Sequence, residues 1–451
     1  MPVVAGRPDR QPKNLLIHGG HIIDPSQRVD AIGDLFVSDG KIGWLSMQET
    51  APLPESCLVV DARGMVVCPG FVDIHCHLRQ PGFEEKETIA TGTRAAAKGG
   101  FTTVCCMPNT DPPIDSGATV EYIKSLAASE GVVRVLPVGC VTKGRAGSEL
   151  ADFGELSTSG VVAFSDDGSP VGDSSLMRRA LEYSRDSGLP VIDHCEDLTL
   201  SQGGVMNEGP VASRLGLKGI PAAAEERMVA RDIGLARSTG GRLHIAHVST
   251  AGSVDLIRRA REEGVSVTAE VTPHHLTMTE ETVAGYNTNA KVNPPLRTAE
   301  DIAALVIGLK EGVIDIIATD HAPHTAKDKM CEFALADFGI SGLETALGGL
   351  MELVHQGKLD LATLISKLTR EPASFLRRDD LGTLKPGSPA DVTVFDPEAE
   401  WVANPDDFAS KGRNTPLAGS VLKGRVMATV VRGAVIYSNG TTHLSQKDRD
   451  N

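Results

Sequence analysis

Two histidines, His75 and His77, stand one residue apart in the run PGFVDIHCHLRQPG, and Arg79 follows two residues later. On a strand, residues i and i+2 share a face, so both imidazoles can meet one divalent ion, for which neutral imidazole is an ordinary ligand. A lone H-x-H carries little weight, because a single histidine is more often a hydrogen-bonded core or surface residue. Recurrence supplies the weight. Asn109, Asp166 and Asp167, His194, His247, His274 and His275, and Asp320, His321 and His324 all stand at the ends of later apolar runs. Four histidines and two carboxylates can share two divalent ions and leave a position for water, whose pKa zinc lowers to about 7. His247 falls at a strand end; His244, three residues earlier, should face the opposite side and reads as a buried, hydrogen-bonded histidine. His274 and His275 follow Pro273 and read as rim residues. Arg79 offers a bidentate fork suited to a carboxylate, although without the preceding histidines it would read as an exposed loop arginine.

Something must bring these run ends together. The runs are FVDIHCH, FTTVCCMPNT, VRVLPVGCVT, GVVAFSDDG, PVIDHCED, RLHIAHVS, SVTAEVTPHH and IDIIATDHAPH, eight in all. Amphipathic stretches such as SSLMRRALEYSRDSG and SVDLIRRAREEG alternate with them, and their closing Gly188 and Gly264 suit a left-handed helix end. Eight strand–helix units over roughly 250 residues predict an α/β fold, a (β/α)8 TIM-like barrel, whose chemistry lies at the C-terminal strand ends. Short β-like runs precede the barrel (NLLIHGGHIID, DLFVSDGKIGWL, CLVVDARGMVV) and follow it (ADVTVFDP, GSVLKGRVMATVVRGAVIYS). They predict a small β domain built from both termini, so the expected division is 1–66, 67–380 and 381–451.

A formal charge of -15 with 4% aromatic residues argues against a nucleic-acid surface, which needs a basic face and stacking rings. The N-terminus MPVVAGRPDRQPKN is polar, and no apolar run approaches the roughly 20 residues of a membrane span, so a cytoplasmic chain is expected. Eight cysteines without a C-x-x-C pair read as reduced core thiols, not as a disulfide frame or a structural zinc site.

PGFVDIHCHLRQPG, MPNT at 107–110, AFSDDG at 163–168, DHCED at 193–197, HVST at 247–250, NPPLR at 293–297 and ATDHAPH at 318–324 occur in that order. With LGTLKPGSPADVTVFDP near the C-terminus, the chain resembles, over most of its length, the long-chain bacterial dihydroorotases of the amidohydrolase superfamily. The resemblance implies a binuclear zinc site, with His75, His77 and Asp320 on one ion, His194 and His247 on the other, and Asp167 as the bridge. Asp166 stays open as the alternative bridge. It also implies the interconversion of N-carbamoyl-L-aspartate and (S)-dihydroorotate in pyrimidine biosynthesis, with Asp320 carrying the proton. Arg79, Asn109 and His324 would meet the substrate carboxylate, Asn293 and the backbone at Phe338 and Gly339 would touch the ring, and His77 would face the substrate as well as the metal. The polar connection Thr325 to Asp337 would close over the site. Hydantoinases, dihydropyrimidinases and allantoinases carry a carboxylated lysine on strand four, where GVVAFSDDG has none; the nearest, Lys143, lies on the previous unit. Such a cyclic-amide hydrolase is one alternative, and a silent scaffold subunit for aspartate transcarbamoylase is another, although the ligand positions are all retained. The resemblance implies a homo-oligomer and leaves association of an active enzyme with that transferase open.

Overall fold

The computed structural model describes residues 13–47, 57–440 and 444–447. The first 12 residues, which carry most of the polar N-terminal stretch, lie outside them. The first five strands are β1 (Asn14–Asp24), β2 (Val29–Ser38), β3 (Lys41–Ser46), β4 (Cys57–Asp61) and β5 (Val66–Pro69). The central part holds β6 (Phe71–Cys76), β7 (Phe101–Cys106), β8 (Arg134–Pro137), β9 (Phe164–Ser165), β10 (Val191–Asp193), the short pair β11 (Met206–Asn207) and β12 (Gly219–Ile220), β13 (Leu243–Ile245), β14 (Val267–Val271) and β15 (Ile316–Ile317). The last are β16 (Val392–Val402), β17 (Val421–Val431), β18 (Ala434–Ser438) and β19 (Leu444–Lys447).

The central strands form the expected barrel. β6, β7 and β8 make one parallel arc, and β9, β10, β13, β14 and β15 make the other. Single parallel bridges, Gly139 to Phe164 and Cys76 to His321, join the arcs at both seams. Parallel strands are covered on both faces, which is why these runs are apolar almost throughout. Val72, Ile74, Met107, Val138 and Ile192 fill the interior with Phe375 from the helix Arg370–Phe375. Helices such as Ser174–Ser187 and Ala251–Glu262 cover the outside, and Gly188 (φ 72°) and Gly264 (φ 77°) end them in the left-handed conformation.

The two ends of the chain meet in one sheet of order β18-β17-β16-β5-β1-β2-β3, with β4 beside β1 and β19 beside β4. β16 runs antiparallel to β5, with Val394 opposite Val67. This sheet docks on the barrel through Phe395, whose ring centroid lies 6.4 Å from that of Phe71. A buried ion pair at 2.9 Å between Arg134 of β8 and Asp391 adds a polar contact at the same junction. Seven of the eight cysteines are buried, as expected of core residues; Cys331 is exposed, because it follows the short surface helix Ala326–Lys329 rather than an apolar strand. Among the described residues no helix is long and apolar enough to cross a membrane.

Candidate active site and metal centre

His75 and His77 do not sit on a regular strand. Asp73 pairs with Val104 and Cys76 with Cys106, so Ile74 and His75 together face the single residue Cys105. Such a bulge turns the side chains that follow it. His77 Nε2 then comes 3.1 Å from Asp320 Oδ1, and His75 Nε2 3.6 Å from the same oxygen. Asp167 lies between all four histidines. Its Oδ1 is 3.4 Å from His75 Nε2, 3.4 Å from His247 Nε2 and 3.7 Å from His194 Nδ1, and its Oδ2 is 3.5 Å from His77 Nε2. His194 Nδ1 and His247 Nε2 are themselves 2.9 Å apart. Asp166 turns away, accepting from the backbone N–H groups of Val141 and Thr142 at 2.9 and 3.1 Å and from the Thr142 hydroxyl. Burial raises its carboxyl to a pKa of about 6 in spite of those donors.

The residues fit a divalent cation. His75 Nε2 and Asp167 Oδ1 are buried and have no hydrogen-bond partner, an expensive state for polar atoms unless something else binds them. His75, His77 and Asp320 form one group of converging ligand atoms, and His75, Asp167 and His247 form a second. Burial would raise both carboxyls. The histidines outweigh it: the His75 charge and the contacts from His247 and His75 hold Asp167 well below the carboxylate range, and the His77 hydrogen bond with the nearby histidine charges does the same for Asp320. Three of the residues around the centre, Arg79 (φ 61°), His247 (φ 31°) and Asp320 (φ 45°), hold left-handed backbone conformations. For non-glycine residues this costs about 1–3 kcal/mol each, and such strain gathers at functional sites.

Acceptors hold the second ring nitrogen of three of the histidines, the arrangement that orients metal-ligating imidazoles. Glu270 Oε1 lies 2.5 Å from His75 Nδ1, Glu196 Oε2 lies 3.0 Å from His194 Nε2, and Asn109 Oδ1 lies 2.8 Å from His77 Nδ1. Burial opposes the charge on Glu270, but His75 and His244 bring its pKa down to about 2. The sequence reading missed Glu270 and Glu196. Glu270 had a signal, since it is the charged residue inside VTAEV, an apolar run of the kind that is covered on both faces.

His244 is buried and hydrogen-bonded, as expected, but it does not face away from the site. Its Nε2 is 3.2 Å from Glu270 Oε2 and its ring packs on Phe375 in the barrel interior, so it supports the site from below. Parity holds only along one continuous strand, whereas β13 ends at Ile245 and the chain turns at His247. His275 is buried and joins Thr272 Oγ1, 2.8 Å from Nδ1, to the Pro294 carbonyl, 2.9 Å from Nε2. His274 is buried with Nε2 unpaired. His321 contacts Glu87 at 3.3 Å and accepts from the N–H of Gly342 at 3.2 Å, at the seam of the barrel. Lys143 pairs with Glu149 on the surface.

A cavity of about 290 Å³ opens above the cluster. His77, Arg79, Asn109, Asn293, His324, Phe338 and Gly339 line it with Asp167, His194, His247 and Asp320. Arg79 Nη2 lies 3.3 Å from His324 Nε2, and Asn293 Nδ2 donates to Glu196 at 2.9 Å. A larger groove of about 490 Å³ lies between the helices Ala299–Lys310 and Ala346–His355, but its wall is mainly aliphatic and holds no histidine.

Comparison with known proteins agrees with this geometry. Residues 64–253 match a family described as dihydro-orotase-like, and residues 214–437 match the amidohydrolase family. The L-hydantoinase (dihydropyrimidinase) of Arthrobacter aurescens superposes with a TM-score of 0.85 at 26% identity, over 96% of this chain and 98% of that one. Barrel, terminal sheet and strand-end cluster thus define an amidohydrolase, a hydrolase acting on cyclic amides. Sequence identity is more selective: the dihydroorotase of Pelotomaculum thermopropionicum is 55% identical over 94% of this chain and 99% of its own, and that of Geobacter sp. (strain M21) is 52% identical over 95% and 100%. The chain belongs to the dihydroorotase family.

Proposed function

We propose that this protein interconverts N-carbamoyl-L-aspartate and (S)-dihydroorotate in pyrimidine biosynthesis, using two zinc ions. The observation that carries the proposal is Asp167, set among four imidazoles with an unpaired buried oxygen, below a cavity whose wall presents Arg79 and His324. His75, His77 and Asp320 would hold one ion and His194 and His247 the other, with Asp167 bridging. When bound, the ions polarise the ring amide carbonyl and make hydroxide available near neutral pH.

The chain's own groups do the rest. Asp320 accepts a proton from the attacking water and delivers it to the amide nitrogen as the C–N bond breaks; cyclisation reverses the transfer. Arg79, Asn109 and His324 bind the carboxylate that stands off the ring, and its charge matches the guanidinium fork. Asn293 and the backbone at Phe338 and Gly339 position the ring, and His77 faces it from the metal side. The polar connection Thr325 to Asp337 borders the cavity and closes over bound substrate.

The division 1–66, 67–380 and 381–451 is the domain assignment we adopt, the two outer segments supplying one β domain. The family resemblance extends the proposal to a cytoplasmic homo-oligomer. Direct transfer of carbamoyl aspartate is the reason to test association with aspartate transcarbamoylase. The deciding assay incubates purified protein with dihydroorotate, hydantoin, dihydrouracil and allantoin, with and without zinc. Turnover of dihydroorotate in preference to the others, lost on chelation and restored by zinc, is the expected result; preference for a neutral ring, or full turnover without metal, would refute the proposal.

A further inference from the structure

The polar connection after β15 leaves at His324 and returns at Phe338, so groups that line the cavity stand at both of its ends: His324 at one, Phe338 and Gly339 at the other. One side chain from a distant part of the sequence joins the two. Asn414, on the segment between β16 and β17, is 3% exposed, and its whole amide is directed at this stem. Its Oδ1 accepts from the His324 N–H at 3.0 Å and from the Ser341 hydroxyl at 2.7 Å. Its Nδ2 donates to the Ala322 carbonyl at 2.9 Å and to the Gly339 carbonyl at 3.0 Å. The Asn414 backbone carbonyl accepts in addition from the Ser341 N–H at 2.8 Å.

An asparagine amide offers two lone pairs and two protons, and all four are engaged here. The two ends of the amide are not interchangeable. A backbone N–H only donates and a carbonyl only accepts, so Oδ1 must face His324 and Nδ2 must face Ala322 and Gly339. Gly339 is held on its other side as well, since its N–H donates to the Lys291 carbonyl at 2.9 Å. The segment that carries Asn414 is itself anchored on the barrel. Glu344 accepts from the N–H groups of Ala409 and Ser410 at 2.9 and 3.2 Å, and Glu87 accepts from that of Lys411 at 3.2 Å. Gly412 then lets the segment press against the stem, where a Cβ would stand 2.5 Å from Pro323 Cβ and collide with the Ser341 hydroxyl.

We propose that Asn414 is a positioning residue for substrate binding: from the C-terminal part of the chain it ties the two ends of the connection together and so fixes the His324 ring and the Gly339 backbone on the cavity wall. The kinetic part rests on the dihydroorotase reading; the hydrogen bonds and their effect on amide exchange do not.

The test compares full-length, zinc-loaded wild type with Asn414→Asp and Gly412→Ala by amide hydrogen exchange and steady-state kinetics at pH 7.5. Asp keeps the shape of Asn without its donors: ionised, it sets an oxygen against both carbonyls, and protonated, it satisfies only one of them. Gly412→Ala leaves the amide intact and pushes its segment away from Pro323. In wild type the His324 and Ser341 amides should exchange as slowly as those of the barrel strands. In both variants exchange across residues 322–341 should quicken about tenfold, as local opening would, with β6, β7 and zinc content as in wild type. KM for dihydroorotate should rise about tenfold and kcat change much less, as loss of an aligned binding group would. Fast exchange at His324 and Ser341 in wild type overturns the proposal without any variant. So does a variant in which exchange over the stem or KM stays as in wild type, or in which kcat falls as far as KM rises. Unfolding, loss of zinc or faster exchange throughout the barrel would make Asn414 a general support of the fold, which overturns the proposal too. The expected exchange pattern in a protein that does not turn over dihydroorotate would refute the functional reading and leave the hold of Asn414 on the stem standing.

Discussion

At the scale of residues, the proposed roles of Asp320 and Arg79 separate the chemistry from the choice of substrate. Asn at position 320 keeps the shape of Asp but cannot accept a proton, so Asp320→Asn should lose nearly all turnover in both directions while losing much less metal; metal analysis beside steady-state rates checks this. Arg79→Met removes the fork at similar chain length. The kcat/KM for dihydroorotate should fall by roughly 3 to 5 kcal/mol, the cost of breaking a buried charge pair, while neutral dihydrouracil, if turned over, is affected much less. An unchanged ratio between the two substrates would remove Arg79 from carboxylate recognition. His324 adds a pH effect. Its folded-state pKa of about 4 lies below the ordinary 6.5, so between those values the unfolded chain binds a proton that the folded chain does not. The stability it contributes is complete above pH 6.5 and is lost as pH falls toward 4. Urea midpoints of His324→Gln should accordingly fall less between pH 6.5 and 4.5 than those of wild type.

Elements decide where those residues point. The bulge in β6 brings His75 and His77 to one site, and the left-handed turn at His247 after β13 brings in an imidazole that a straight strand would misplace. The segment after β15 is held just as closely at Gly339, where φ is 147° and a Cβ would stand 2.8 Å from the Ala322 carbonyl oxygen and 2.9 Å from His324 Cδ2. Gly339→Ala must therefore displace the segment or the His324 ring. KM for dihydroorotate should rise roughly tenfold to a hundredfold, the order expected for a misplaced binding group, with zinc stoichiometry unchanged. Loss of zinc in this variant would mean that the segment supports the metal centre and not only the substrate.

Across the whole molecule, the terminal sheet is joined to the barrel by apolar packing and by a buried ion pair. Arg134 and Asp391 are 9% and 6% exposed, and Asp391 also accepts from the Arg432 N–H at 2.8 Å. Arg134→Met strands that carboxylate at the junction and should destabilise the protein by about 3–5 kcal/mol. Zinc content and KM at the far end of the barrel should stay as in wild type. Denaturation with and without zinc would show whether sheet and barrel unfold together; a variant as stable as wild type would mean that water or another cation replaces the guanidinium.

Much of this was legible in the residues. The eight apolar runs specify the barrel because parallel strands covered on both faces must be apolar along their length, and polar residues at the run ends then mark the open face. The β-like runs at the termini imply a second sheet, although their pairing across more than 300 residues, β5 with β16, is a tertiary fact. Periodicity could not separate Asp167 from Asp166, since neighbours differ only in which way the chain turns after β9. It misdirected His244, because strand parity fails once a strand ends or bulges. It was silent on Glu270, whose role comes from what it meets 195 residues away. Residue type and local spacing determine which groups can bind metal or carry a proton; the direction of a side chain, and the partner that sets its charge and proton, depend on backbone bends and long-range packing that local spacing does not contain.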